Sequence, residues 1–455
     1  MTPTDGQAAA PPARPAVGDE LELRIDSMAF GGAGVARSNG YVVFVDGAFP
    51  GDLVRARIRH RKRAYAQART VELLEGGPDR VAALADHPGA PWQELAYPRQ
   101  LEIKHQQVDD ALRRIGHLDG FQLDPIVAAE QPWRYRNKLE YSFGRGADGT
   151  LVCGFHAPGS WEQIEGIEDC LLASERGNEV RREVLAWCRE QGLTAFDRRE
   201  HTGFLRNLVV REGRRTGQLQ VRLITGPGTL DRDSLAQAVR ADGVLWTRTD
   251  ALAETSSGGE TELIAGVETI EERIGELVLR ISPEAFFQTN TEMAERLYAM
   301  AGTACELHGW ERVFDLFCGT GTIGLSVAGR SGHVYGLEIV ERAVADAIDN
   351  AARNEIANAS FFAGDVRLAM RELRERAGRP DLVIVDPPRA GLSQKVVARI
   401  VETAPKRIVY ISCNPTTLAP NAAQFVQAGW RLQTVTPLDM FPQTPHIECV
   451  AVLAR

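Results

Sequence analysis

From Arg312 onward the chain alternates short apolar runs with helical stretches, and this feature restricts its fold more than any other. Residues 312–317, 333–339, 360–363, 382–386 and 407–412 read as strands. Stretches of roughly 10 to 15 residues with helical periodicity separate them. Parallel strands cannot be joined by tight turns. They need crossovers of about that length, which lay helices on both faces of the sheet. The pattern therefore predicts a covered parallel α/β sheet. The end of the chain differs. Runs 430–440 and 447–453 have only a short connection between them, which predicts an antiparallel addition to one sheet edge.

The first of these strands runs into Cys318-Gly-Thr-Gly-Thr-Ile-Gly324. Gly319 and Gly321 would let the backbone approach a ligand closely at the first strand–helix turn. Nineteen residues after Gly319, Glu338 ends the second strand, where an acid can hold the two hydroxyls of a ribose. An adenosine-bearing cofactor is expected. The glycine pattern alone leaves open a dinucleotide, and with it a nicotinamide-dependent oxidoreductase.

Strand four ends in Asp386-Pro-Pro-Arg389. The proline pair stiffens a loop at the carboxyl end of the sheet, where ligands of such folds bind. Strand five ends in Ser412-Cys413-Asn414-Pro415. A free cysteine is more often a small buried residue. Here polar neighbours and a stiffened turn at a strand end favour a nucleophile, since a thiolate is the strongest side-chain nucleophile near neutral pH. Glu448 sits on an otherwise apolar final strand, where a carboxylate is either paired or held as a base. His446 reads as a loop histidine with its bonds satisfied.

The rest of the chain bounds the function. Its 455 residues suggest about three domains. Apolar residues make up 44% and charged residues 25%, the balance of a folded protein. No apolar run is long enough to predict a membrane span. Seven widely spaced cysteines without a C-x-x-C argue against a disulfide framework and a zinc site, and favour a reducing cytoplasm. Residues 1–16 read as a disordered tail. Residues 17–75 read as short strands dense in glycine, suited to a small β-barrel. Within them, 55–69 carries seven Arg/Lys and no acid, with Tyr65 in the middle. Such residues can simply blunt a strand edge. Density this unbalanced also suits a strip that tracks phosphates, so Arg59, Arg61, Lys62 and Arg63 are candidate RNA contacts despite a net charge of −9. Residues 99–115 read as an amphipathic helix ended by Gly116, and residues 137–281 as a β-rich region with one helix near 175–191.

These motifs resemble the RNA uracil-5-methyltransferase family over nearly the whole chain. Residues 17–75 look like its TRAM domain, an OB-like RNA-binding barrel. Ser282-Pro-Glu-Ala-Phe-Phe-Gln-Thr-Asn290, Asp315-Leu-Phe317-Cys-Gly-Thr-Gly, Ser412-Cys413-Asn414-Pro415 and Pro445-His446-Ile-Glu448 match its motifs. The resemblance implies a β-barrel (17–75), a central α+β RNA-recognition domain (76–281) and a Rossmann-like S-adenosyl-L-methionine-dependent catalytic domain (282–455). It implies Gln288, Phe317, Gly319, Gly321, Thr322, Glu338, Asp365 and Asp386 at the cofactor. Thr322 stands where Asn is frequent. Phe286 would stack near the target base, and Arg136, Asn137 and Arg389 would lie near the RNA. Cys413 would add to carbon 6 of a uracil, and Glu448 would take the proton from carbon 5. The substrate implied is 23S rRNA ahead of the T-loop of tRNA, and a monomer is expected. A non-catalytic RNA-binding protein on the same scaffold is the reading of another class.

One departure matters. Many members hold an iron–sulfur cluster through three closely spaced cysteines and a fourth later. Here residues 79–97 contain none, His87 and Ala90 stand where two would fall, and Cys170 matches the fourth. A cluster needs four thiolates, so none is expected.

Overall fold

The structure, a computed structural model, describes residues 14–251 and 258–455. The sequence also reads 254–259 as a polar turn; residues 254–257 of it, and most of the expected N-terminal tail, lie outside the described residues. The chain divides into two compact units. One comprises Met1–Leu84, Pro91–Ile103 and Gln443–Pro445; the other comprises Ala85–Ala90, Lys104–Pro442 and His446–Arg455.

The first unit is built on a six-stranded sheet in the order Glu20–Arg24, Leu53–Arg61, Tyr65–Glu75, Tyr41–Asp46, Gly34–Ser38, Ser27–Met28. The outermost strands of this order are separated in sequence only by Ile25 and Asp26. The sheet must therefore curl until its edges meet, and the Asp26 amide donates to the Val35 carbonyl at 2.8 Å. Alternate residues face inward, with Val43, Val45, Val54, Ala56, Ile58, Ala66 and Ala68 buried. Small side chains keep this interior narrow. A Cβ on Gly34 would lie 2.8 Å from the Ala48 carbonyl oxygen. The barrel expected from the glycine density is present.

The second unit holds two sheets. A seven-stranded sheet has the order Ile164–Gly166, Leu151–His156, Lys138–Arg145, Leu205–Glu212, Leu219–Thr225, Gly243–Arg248, Glu260–Gly266. Helix Glu175–Glu190 packs on it, with Val180, Val184 and Trp187 in a core with Tyr141, Leu208 and Leu223. The other sheet has eight strands: Ala359–Ala363, His333–Glu338, Arg312–Leu316, Leu382–Val385, Arg407–Ser412, Glu448–Ala454, Arg431–Leu438 and Gln122–Leu123. The first five are parallel, as the alternating pattern predicts. The last strand of the chain is antiparallel to Arg407–Ser412. It is an inner strand, since Arg431–Leu438 pairs outside it and Gln122–Leu123 pairs outside that. The two-residue edge strand is too short to carry a period.

The helix expected at 99–115 is an α-helix over Tyr97–Asp110, continued by a π-helical turn over Ala111–Ile115. Gly116 is not a left-handed cap: its φ is −80°. The positive φ of 50° falls on His117 instead. Close packing explains the glycine, because a Cβ there would lie 2.8 Å from the Leu112 carbonyl oxygen and 3.0 Å from that of Ala419. Among the described residues, no helix is long and apolar enough to cross a membrane.

Lys104 and Asp439 form an ion pair at 2.6 Å with both side chains fully buried. The ammonium also donates to the Phe441 carbonyl at 3.2 Å. The pair fixes the chain just before the final strand. Lys104→Met strands a buried carboxylate, so urea denaturation should show a loss of about 3–5 kcal/mol. Adding Asp439→Asn should restore much of it.

Candidate active site

The strand Arg312–Leu316 delivers its chain into a turn that only certain residues tolerate. Phe317 has a φ of 64°, Gly319 of 53° and Gly321 of 79°. Gly321 also lacks room, because a Cβ there would lie 2.8 Å from the Phe361 ring and 3.0 Å from Ala347. Gly319 has open space around it, so its constraint is the backbone angle alone. Helix Thr322–Ala328 begins directly after, with its free amides at the mouth of the sheet. The Glu338 carboxylate closes the loop by accepting from the Gly319 amide at 3.1 Å and the Val340 amide at 3.0 Å. Thr322 is buried, with its hydroxyl 3.2 Å from that of Thr320. Asp315, fully buried, accepts from the Gly324 amide at 2.9 Å while its Oδ1 has no partner.

The same end of the sheet carries Cys413 and Glu448. Ser412 pairs with Cys449 at the last step of the antiparallel ladder. Cys413 follows the one and Glu448 precedes the other, and the Glu448 charge acts on the Cys413 thiol. Below Cys413 the chain is pinned twice. The Asn414 side chain caps helix Pro415–Gln427 by accepting from the Thr416 amide at 3.0 Å. Its amide nitrogen donates to the Arg389 carbonyl at 3.1 Å. Asp386 ends strand four beside them.

Burial dominates the electrostatics. Glu448 is 3% exposed, and desolvation raises its carboxyl well above the ordinary range. The charge of Asp386 adds to this and Arg389 opposes it. Desolvation also pushes Asp386 up to about 7, and Asp315 to about 7. The Cys413 thiol is pushed up to about 11 by desolvation, then by Glu448 and Asp386, with Arg389 opposing. Tyr298, buried on helix Thr291–Ala304, feels Asp386, Glu448 and Asp315 together. The sequence reading missed Tyr298, because on its helix it repeats with Ala294 and Ala301 as an ordinary core stripe. His446 is held neutral, pushed down to about 4 by desolvation and by the charges of Arg389, Arg136 and Lys104.

Not every expected residue is placed alike. Gln288 is buried, and Asn137 holds its segment by donating to the Gln288 carbonyl at 2.9 Å and the Thr291 hydroxyl at 2.8 Å. Asn137 is itself 4% exposed, so it positions that segment and presents little to RNA. Phe286 is 69% exposed beside the buried Phe287. Arg136 leans on the Phe441 ring, 5.5 Å from its centroid. Asp365 caps helix Val366–Ala377 and is paired with Arg367, so its carboxylate is already engaged. In the barrel, Arg55 pairs with Glu22 and Glu72, and Arg57 with Glu20. Arg59, Arg61, Lys62 and Arg63 are exposed, with no ion pair among the described residues.

Cys170 is buried with the His87 Nε2 at 3.3 Å from its sulfur, and the His87 Nδ1 has no partner. Ala90, fully buried, offers no ligand atom. One thiol and one imidazole do not fit a cluster that requires four thiolates. Among the described residues, no group of three or more His, Cys, Asp or Glu could hold a metal ion.

Known proteins resemble this chain over most of its length. A family model described as tRNA (Uracil-5-)-methyltransferase matches residues 260–455, and one described as TRAM domain matches residues 15–71. An uncharacterized RNA methyltransferase of Halalkalibacterium halodurans is 36% identical over 96% of this chain and 97% of its own. Another, from Chlorobaculum tepidum, is 36% identical with the same coverage of 96% and 97%. The solved tRNA (uracil-54, C5)-methyltransferase of Pyrococcus abyssi, in complex with S-adenosyl-L-homocysteine, is 28% identical. It superposes with a TM-score of 0.79 over 95% of this chain and 100% of that one.

The raised thiol makes a testable statement. Only the thiolate reacts with alkylating agents. Because Cys413 titrates near 11, its thiolate fraction, and so its iodoacetamide rate, should climb about tenfold per pH unit from 7 to 9 without levelling. An unperturbed thiol would begin to level near pH 8.5. Modification of Cys413 is followed by peptide mass spectrometry.

Proposed function

We propose that this chain, which belongs to the RNA uracil-5-methyltransferase family, methylates carbon 5 of one uridine through a covalent adduct on Cys413, with Glu448 as the base. The enzyme is S-adenosylmethionine-dependent, and that cofactor supplies the methyl group. The observation that supports the mechanism is the ladder that ends at Ser412 and Cys449, the neighbours of Cys413 and Glu448. The residues suited to hold the cofactor are the Gly319–Gly321 turn, Phe317 and Glu338 for the ribose, with Gln288 and Asp386 nearer the methyl. Asp365 would contribute only by giving up Arg367.

Carbon 5 of uracil is a weak nucleophile. Cys413 forms a carbon–sulfur bond at carbon 6, and the displaced electron pair becomes an enolate over carbons 5 and 4. Carbon 5 would then take the methyl from the sulfonium of the cofactor, whose sulfur–methyl bond breaks and leaves its electron pair on sulfur as S-adenosyl-L-homocysteine. Glu448 removes the remaining proton from carbon 5, the double bond re-forms, and the carbon–sulfur bond breaks to return the thiolate. Burial makes the Glu448 carboxyl hold its own proton more readily, so it must shed that proton to solvent before it can act; once ionised it is a stronger base than an exposed carboxylate. The raised thiol pKa means that the proton must leave Cys413 as the site fills. Arg389, and any cationic group bound beside Asp386, act in that direction. The target base must leave its stack to reach these atoms.

For the RNA, the reading favours 23S rRNA. A six-stranded barrel carrying the exposed cations Arg59, Arg61, Lys62 and Arg63, and a seven-stranded central sheet, offer grip suited to a large folded RNA. The Pyrococcus neighbour, a tRNA enzyme, supports the T-loop of tRNA as the second reading. Labelled S-adenosylmethionine incubated with unmodified 23S rRNA and with unmodified tRNA should put label into 5-methyluridine in the rRNA. Label in tRNA alone would favour the second reading, and label in neither would return the protein to an RNA-binding role. Cys413→Ala should lose at least about a thousandfold in turnover while retaining cofactor binding.

A further inference from the structure

One face of the seven-stranded sheet collects positive charge. Register sets Lys138 opposite Arg211, and sets Glu140 and Arg222 on either side of Val209. Lys138 pairs with Glu140 at 2.6 Å, and Arg222 with Glu284 at 3.0 Å. Arg211 has no carboxylate partner among the described residues. It is 3% exposed and donates from Nη2 to the Ala285 carbonyl at 2.8 Å, while its Nε and Nη1 are buried and unpartnered. Desolvation and the charge of Arg222 bring it down only to about 10, so it stays cationic near neutral pH.

A cavity of about 270 Å³ is lined by Lys138 and Glu140 of this face together with Arg136, Phe155, Phe286 and Thr289. Two more polar atoms at its walls lack partners, Arg136 Nε and Thr289 Oγ1. Phe286 contributes a large exposed ring, and Phe155 is backed by Tyr141 at 5.2 Å and His87 at 5.7 Å. Aromatic faces, unpaired donors and a surplus of positive charge form a combination suited to a nucleotide: the ring stacks a base and the cations draw its phosphate. Arg136 at its wall lies 5.5 Å from the centroid of the Phe441 ring, and that ring stands 5.9 Å from the ring of His446, two residues before Glu448, so the cavity neighbours the candidate site while Cys413 is not among its lining residues.

We propose that this cavity receives a second unstacked nucleotide of the substrate RNA, adjacent to the methylated uridine. Its base lies against Phe286, and its phosphate is drawn by Arg136 and Lys138 over the unpaired guanidinium of Arg211. This rests on the uridine-methylation reading above. The Lys138–Glu140 pair and the Thr289 hydroxyl present donors and an acceptor side by side, so the occupant is read along a base edge as well as stacked.

The test uses the full-length enzyme with a benzophenone amino acid in place of Phe286, irradiated on whichever RNA the wild-type enzyme methylates. Primer extension then maps the crosslink and the methylated uridine separately. The expected crosslink falls on one nucleotide within about three of that uridine, but not on it. A crosslink on the methylated uridine itself, or crosslinks scattered along the RNA, would overturn the inference and leave the methylation reading standing. Absence of methylation by the wild-type enzyme would overturn both. Thr289→Val and Lys138→Gln should each raise KM for RNA about fivefold or more, with kcat and KM for the cofactor held within about twofold. A fall in kcat at unchanged KM for RNA would contradict a binding role.

Discussion

The site depends on one backbone interaction, the antiparallel ladder between Arg407–Ser412 and Glu448–Ala454. It brings the end of one strand and the start of another to the same edge of the sheet. Cys413 and Glu448, thirty-five positions apart in sequence, come to the same end of this ladder. The last strand is buried along its whole length, so a one-residue slip would exchange every side chain between two filled faces and move Glu448 away from Cys413. Packing on both faces thus holds the register. The buried Lys104–Asp439 pair fixes the chain entering this strand.

Burial is the second constraint, and it works against the charged forms of Asp315, Asp386 and Glu448. Arg389 opposes it at Glu448 and Cys413. Such an arrangement is poised for a cationic ligand. A sulfonium bound beside Asp386 would favour the ionised form of that carboxyl and offset the negative charge it sets against the thiol. The same low dielectric that makes the free thiol inert makes each of these charges effective once the site is filled.

Much of this was legible in the sequence. The parallel sheet, the glycine turn and the strand-end positions of Cys413 and Asp386 follow from periodicity and from residues that tolerate special backbone angles. The antiparallel ending was legible too, but its order was not. Placing the final strand inside Arg431–Leu438, and Gln122–Leu123 beyond both, requires long-range pairing that no local pattern records. Tyr298 was hidden because a core stripe and a site-facing phenol share one helical spacing. Asn137 and Asp365 show the converse. Both match family motifs, yet one is buried holding the Gln288 segment and the other is engaged by Arg367. Polar residue type marks a neighbourhood; the hydrogen bonds decide the role.

The central claim is that Cys413 and Glu448 act in sequence on the same uracil ring. The most direct measurement is denaturing electrophoresis of Glu448→Gln mixed with substrate RNA and S-adenosylmethionine. With the base removed, carbon 5 keeps its proton and the carbon–sulfur bond cannot break, so a covalent protein–RNA band carrying the transferred methyl should accumulate. The band should be absent when Cys413→Ala is added. Wild-type turnover by Glu448→Gln with no trapped band, or a band that survives loss of Cys413, would contradict the account.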